Sequence, residues 1–403
     1  MAQPLAGVRV ADFSHVVAGP LATHFLRLLG AEVVKVEPPG GDVLRDYTRR
    51  DELRGMAEPF ISMNAGKKSV VLDLKTDFGR QAARALVARA DIVVENFRPG
   101  VAERLGVGYE ELKAASPGLI YCAMSGFGQS GPMRDYPAID HIIQRVSGLM
   151  CLSGEPDTGP MRVGFPIVDT YSALLAAFAI LSAYIQRQRD PERRGQYVDL
   201  SMLDASLVMM SSVIAPLVIS GEAPRRTGNR GFSLAPTADT FETADAPLTI
   251  GAVQQNQYER LVGVLERPDL LADPRFATPA ARMANDEALQ HELTQSFRSR
   301  SAAEWERRLS AAGVPAGVVR EVEDAFASDQ VEGRGLKLEI PVPVAAVGKA
   351  TILNAGFRFA HDGPGLDAPP PALGQHTEEV LAELGLASPG TGTDGPESDP
   401  ADG

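Results

Sequence analysis

The chain has 403 residues, of which 44% are hydrophobic, 23% charged and 6% aromatic, a globular balance with length for two or three domains. A formal charge of −13 argues against nucleic acid or an anionic membrane as the main partner, while local basic clusters can still hold an anionic small molecule. The two cysteines, Cys122 and Cys151, build no disulfide framework and match no zinc or redox spacing, so a reducing, cytoplasmic setting is expected.

Residues 1–7 carry no basic patch followed by an apolar core, so no secretory leader is expected. Residues 8–13 read as a strand. Gly19-Pro20 opens a helix with the apolar stripe Leu21, Phe25, Leu28 and Leu29, which Gly30 ends, and residues 31–36 form the next strand. This βαβ pattern continues with a strand at 69–74, a helix at 78–89 and strands at 91–95 and 119–124. The alternation predicts a doubly wound α/β domain. Two apolar helices follow, at 170–187 and 202–220, separated by a turn at Gly195; they are short for a bilayer span and read as buried helices. A polar stretch at 221–230 with three arginines reads as a linker. A smaller unit with helices near 257–265, 286–300 and 303–312 then runs to 328. A second crossing segment, 329–343, leads to strand-like pieces and a final helix at 377–386. The tail from 387 to 403 is nearly devoid of apolar residues and is expected to be disordered.

Ligands in open α/β sheets bind beyond the carboxyl ends of the strands, which directs attention to Phe13–Pro20 and to Glu95–Gly100. His15 lies in the first of these, where an ordinary loop histidine is the competing reading. Lys67, Lys68, Lys75, Arg98 and Arg104 form either an anion-binding cluster or a solvated charged face. Asp169, just before an apolar helix, is a good N-cap or a carboxylate nucleophile held at a helix start. No G-x-G-x-x-G follows the first strand, so neither a nicotinamide nor a flavin dinucleotide is expected. No G-x-S-x-G and no cysteine–histidine motif occurs, and the six histidines show no metal-ligand spacing.

Blocks at 5–20, 29–37, 64–75, 90–100, 125–132, 194–205 and 374–381 occur in the order in which they stand in a known family. Through them the chain resembles the class III coenzyme A transferases, which include formyl-CoA and carnitine-CoA transferases and, as relatives, alpha-methylacyl-CoA racemases. The resemblance implies an α/β fold: a large Rossmann-like domain built from both chain ends (1–220 and 344–386) and a smaller inserted α/β domain (231–328), with linkers at 221–230 and 329–343. Two such chains are expected to form an interlocked homodimer. It implies CoA as substrate and product, held by the positions matching His15, Val16, Val17, Ala18, Leu72, Lys75, Asn96, Phe97, Arg104, Leu105 and Met202. The family nucleophile falls on Asp169, which would carry CoA from an acyl-CoA to a small carboxylic acid through anhydride and aspartyl-CoA intermediates. Asp140 and Gln254 fall near the substrate, and oxyanion donors are expected from the backbone of 126–131 or 251–254.

Departures from the family refine this reading. Racemase relatives carry a histidine where this chain has Ile139 and a glutamate where it has Gln254, and neither present residue can move an alpha proton. A racemase or epimerase is therefore the alternative reading, with a catalytically silent CoA-binding protein as a third. Val17 stands where formyl-CoA transferases have glutamine, and 251–254 where they have a glycine-rich loop, so oxalate and formate are not expected; the range of the family, rather than any one residue, implies a dicarboxylate acceptor such as malate, succinate, mesaconate or itaconate. Neither metal, nucleic acid nor membrane is expected as a partner.

Overall fold

The computed structural model describes residues 2–387. Apart from Ala387, the tail expected to be disordered lies outside these residues.

Contacts divide the chain into two compact units. The first comprises Met1–Ser147, Gly164–Ser212 and the segment from Glu332 onward; the second comprises Gly148–Val163 and Val213–Val331. At the centre of the first lies a six-stranded, wholly parallel sheet: β1 (Arg9–Asp12), β2 (Glu32–Glu37), β3 (Lys68–Val71), β4 (Ile92–Glu95), β5 (Ile120–Ser125) and β6 (Gln196–Ser201). Its spatial order is β3-β2-β1-β4-β5-β6. Val10 stands opposite Val33 on one side and Ile92 on the other. β4 and β5 are buried along their whole length, as expected of central parallel strands covered on both faces. Ala22, Leu26, Ala173, Ala176 and Ile180, from the helices Ala18–Leu28 and Ile167–Arg189, pack on one face. Ala82, Ala83 and Leu86 from the helix Asp77–Val87, with Val380 and Leu381 from Thr377–Glu383, pack on the other. Strand order reverses between β1 and β4, so the loops after these strands diverge and leave a crevice at the carboxyl edge. The first unit also holds an antiparallel hairpin, β10 (Lys337–Pro341) with β11 (Lys349–Leu353), whose Ile340 and Ile352 join a small core with Leu44, Phe60 and Ile61.

In the second unit, β7 (Thr240–Glu242), β8 (Pro247–Ile250) and β9 (Ala316–Val318) form an antiparallel sheet. Its core mixes aliphatic side chains with an aromatic cluster: the Phe297 and Phe241 rings lie 5.1 Å apart at a tilt, and the Trp305 indole N–H donates to the Phe297 carbonyl at 2.8 Å.

Three elements differ from the sequence expectation. β6 occupies the stretch expected to hold only a turn; as an edge strand with half-polar alternation it has weak periodicity, and its pairing with β5 defines it. The helix expected over 202–220 is two, Met202–Met209 and Ser211–Ser220. The helix expected at 170 begins at Ile167 and runs 23 residues, with a mean hydropathy of 1.6 that would suit a bilayer by length and composition. Its buried alanines instead pack against the sheet and the Ala18–Leu28 helix, while Leu174, Phe178 and Ile185 stay exposed.

Candidate active site

The crevice at the strand switch begins with the loop after β1. Asn96, just past β4, clamps His15 from both sides: the His15 N–H donates to its Oδ1 at 2.8 Å, and its Nδ2 donates to the His15 carbonyl at 2.8 Å. The His15 ring lies 5.7 Å from that of Phe97. Burial, and next the Lys35 ammonium, lower the imidazole below its ordinary value, so His15 is neutral near pH 7. The turn closes so tightly that a Cβ on Gly19 would overlap the Ser14 side chain, and only glycine fits at the second position of the helix.

On the opposite wall, the Ile167–Arg189 helix starts after Pro166, which has no side-chain acceptor to cap it. Asp140 supplies the cap from elsewhere in the sequence: its Oδ2 accepts the N–H groups of Val168 at 2.8 Å and Asp169 at 3.2 Å. Its Oδ1 accepts from the Gln144 amide at 2.6 Å. Asp169 is thus the third residue of the helix rather than its N-cap, and its own carboxylate accepts no hydrogen bond among the described residues. Burial, reinforced by the negative charge of Asp140, pushes the Asp169 carboxyl up to about 7. The helix start favours the carboxylate form but does not outweigh those two effects.

Asp169 and Asp140 open into a cavity of about 310 Å³ whose wall includes Val16, Val17, Ala18, Asn96, Phe97, Met202, Arg98, Arg134, Tyr136 and His141. Of the residues expected to hold CoA, this brings together Val16, Val17, Ala18, Asn96, Phe97 and Met202, with His15 one residue away. Leu72, Lys75, Arg104 and Leu105 stand outside the wall. Leu72 is buried and Lys75 exposed just beyond β3, while Arg104 and Leu105 follow β4, the former exposed and the latter packed into the core. They mark the same carboxyl edge of the sheet. Gln254 lies in the second unit, exposed at the start of the helix Gln255–Leu265, where its N–H donates to Gln257 at 2.9 Å.

Sequence reasoning placed Glu95 in a candidate stretch without giving it a role of its own, and it missed Asp42, Arg134 and Tyr136, which also shape this crevice. Glu95 accepts the Phe97 N–H at 2.7 Å and is pushed up to about 8 by its burial. Asp42 accepts the Val16 N–H, and Arg134 and Tyr136 form part of the wall. Only Glu95 carried a local signal, a carboxylate at the end of an otherwise apolar strand. Among the described residues, no group of three or more His, Cys, Asp or Glu side chains is placed to hold a metal ion.

The cavity therefore presents a near-neutral, unpaired carboxylate beside a tightly braced backbone loop and two guanidinium groups, an arrangement suited to acyl transfer on an anionic ligand. Residues 5–377 match the family described as CoA-transferase family III. The chain is 35% identical over 395 residues to a succinate–glutarate CoA-transferase of Agrobacterium fabrum, covering 94% of this chain and 96% of the relative. It is 37% identical over 364 residues to an acetyl-CoA:oxalate CoA-transferase of Acetobacter aceti, covering 90% and 92%. The crystal structure of a CAIB/BAIF family protein from Brucella suis superposes with a TM-score of 0.83 at 34% identity, covering 95% of this chain and all of that one.

Proposed function

The chain belongs to CoA-transferase family III, and on that footing we propose that it moves CoA from an acyl-CoA to a small carboxylic acid with Asp169 as the carrier. One observation supports this above the rest: Asp140 takes over the capping of the helix, which leaves the Asp169 carboxylate unengaged in a cavity. A carboxylate whose conjugate acid sits near 7 is more nucleophilic than an ordinary aspartate and is still about half ionised at neutral pH.

In the proposed sequence, an Asp169 oxygen attacks the thioester carbonyl carbon of the donor. The C–S bond breaks, CoA leaves as thiolate, and a mixed anhydride joins Asp169 to the acyl group. The thiolate then attacks the Asp169 carbonyl carbon and expels the donor acid as carboxylate, leaving an aspartyl-CoA thioester. The acceptor carboxylate attacks that thioester, again releasing thiolate and forming a second anhydride. Thiolate attack on the acceptor's acyl carbon gives the new acyl-CoA and restores the Asp169 carboxylate. No net proton is consumed, and the thioester energy survives only while water is kept from the anhydrides.

The proposal places CoA along the carboxyl edge of the sheet. His15, Val16, Val17, Ala18, Asn96, Phe97 and Met202 would hold its inner portion, and Leu72, Lys75, Arg104 and Leu105 would lie toward its phosphates. A small dicarboxylate is the acceptor favoured by the relatives' names and by Arg98 and Arg134 in the wall. The reading includes a Rossmann-like large domain, an inserted small domain and an interlocked homodimer in the cytoplasm, with no metal. The exposed Leu174, Phe178 and Ile185 on one helix face support a partner subunit covering that face.

Intact-protein mass spectrometry after mixing with succinyl-CoA, followed by hydroxylamine, tests the carrier role. A hydroxamate mapped to Asp169 is the expected result. Tight CoA binding with no trapped adduct across a broad acyl-CoA panel would remove Asp169 from the chemistry.

A further inference from the structure

Val16 is a β-branched residue held at φ 67°, in the left-handed region that such side chains avoid. Nothing in its own sequence favours this, so the surroundings must impose it. The Val16 N–H donates to both carboxylate oxygens of Asp42, at 3.2 and 3.3 Å. Asp42 is oriented in turn by the Lys35 ammonium at 2.9 Å, with both side chains fully buried. The same ammonium donates to the Ser14 carbonyl at 2.8 Å, so one buried cation braces the loop on both sides of His15. Asp42 also accepts the Leu44 N–H at 3.0 Å, which anchors it to the short helix Val43–Asp46. The Val16 side chain is left facing the cavity, 43% exposed, directly before the helix that begins at Ala18.

We propose that the buried Lys35–Asp42 pair is a positioning device that holds Val16 left-handed and so presents the 16–18 backbone to CoA. The inference rests on reading this cavity as the CoA site. Neither residue touches the ligand in this proposal; both act through Val16. Without the pair, valine would relax to negative φ and the loop would lose its shape before binding, so the effect should fall on affinity rather than on the chemistry at Asp169.

Calorimetric titration of the full-length protein with CoA, alongside its thermal midpoint, tests this. Lys35→Met/Asp42→Ala removes both charges together, so neither is left buried without its partner. CoA binding is expected to weaken roughly tenfold, the factor associated with strain of this kind. Adding Val16→Gly to the same background is expected to restore most of that loss, because glycine adopts positive φ without strain. Simple loss of stability would not be repaired in this way. If the double variant does not fold, Asp42→Asn, which keeps the shape of the side chain, is read through the same Val16→Gly rescue. Unchanged CoA binding in the folded variant, or a loss that Val16→Gly leaves untouched, overturns the proposal. Failure of the unaltered protein to bind CoA overturns the reading of the cavity instead, so the two failures are distinct.

Discussion

The Oδ2 atom of Asp140 accepts the backbone N–H of Asp169 at 3.2 Å while its charge opposes ionisation of the Asp169 carboxyl. One residue thus performs two tasks. It takes the capping role that Asp169 would otherwise fill, and it lifts the Asp169 carboxyl toward neutrality.

Ionisation of Asp169 should limit activity on the acid side. Burial and Asp140 raise it to about 7, and the proposed function makes the carboxylate the reactive form, so kcat/KM is expected to climb with pH through about 7 and then level off. A pH–rate profile with any active donor and acceptor pair checks this. A limb near 4 would mean that the carboxyl is not raised in the free enzyme.

The same shift has a stability consequence with a defined sign. An aspartate raised in the folded state binds more protons there than in the unfolded chain, so it weakens the fold as pH rises from about 4 to 7. Asp169→Asn is therefore expected to stabilise the protein by about 2 kcal/mol at pH 8 and by little at pH 4, while abolishing transfer. Thermal midpoints at the two pH values give the comparison.

Substitutions at Asp140 should separate its two tasks. Asp140→Asn keeps an acceptor for the helix N–H groups but removes the charge, so the acid limb of the rate profile is expected to move to lower pH. Asp140→Ala also loses the cap, about 1 kcal/mol of stability, and should lower kcat as Asp169 loses its fixed position. An acid limb in Asp140→Asn unmoved from that of the unaltered protein would count against the electrostatic role.

Asn96→Ala removes both hydrogen bonds that clamp His15. Two such bonds contribute about 1–3 kcal/mol together. The expectation is a rise of roughly tenfold in the KM for acyl-CoA with kcat changed much less.

Beneath the site, the Lys67 ammonium donates to Asp12 at 3.0 Å, Thr23 at 2.8 Å and Asn64 at 2.9 Å, all buried. Burial alone would raise the Asp12 carboxyl, but Lys67, Lys35 and the Ser14 and Thr23 hydroxyls outweigh it and hold it well below the usual carboxylate range. Its contribution to stability is present above about pH 4 and is lost as pH falls further. Lys67→Met alone is expected to destabilise by about 3–5 kcal/mol, and Asp12→Asn/Lys67→Met by less, since the second change removes the unpaired charge. Urea titrations of the three proteins decide between pair and individual effects.

The first five strands were legible in the sequence to within a few residues, because buried parallel strands are short apolar runs bounded by turns. Asn96 and Phe97 were legible as candidates for the same reason: they follow such a run, where α/β sheets place their ligands. β6 was not, since Gln196–Ser201 is half polar and becomes a strand only by pairing with β5. Lys35 and Asp42 were not either. A lysine inside an apolar strand and an aspartate in a loop read as surface charges until folding buries them against each other.

The sequence by itself determined the alternating strands and helices, the place of the candidate site at the strand ends, and, through long ordered blocks, the family. Local periodicity and turn residues encode those features, and each is complete within a short segment. Only the tertiary structure decided what Asp169 does with its carboxylate. Its helix begins at Ile167, and the acceptor that caps that helix comes from Asp140, 29 positions earlier. Capping by a distant side chain leaves no mark near the capped residue. The choice between helix cap and unengaged carboxylate is therefore made by packing, which brings the two aspartates to one end of one helix.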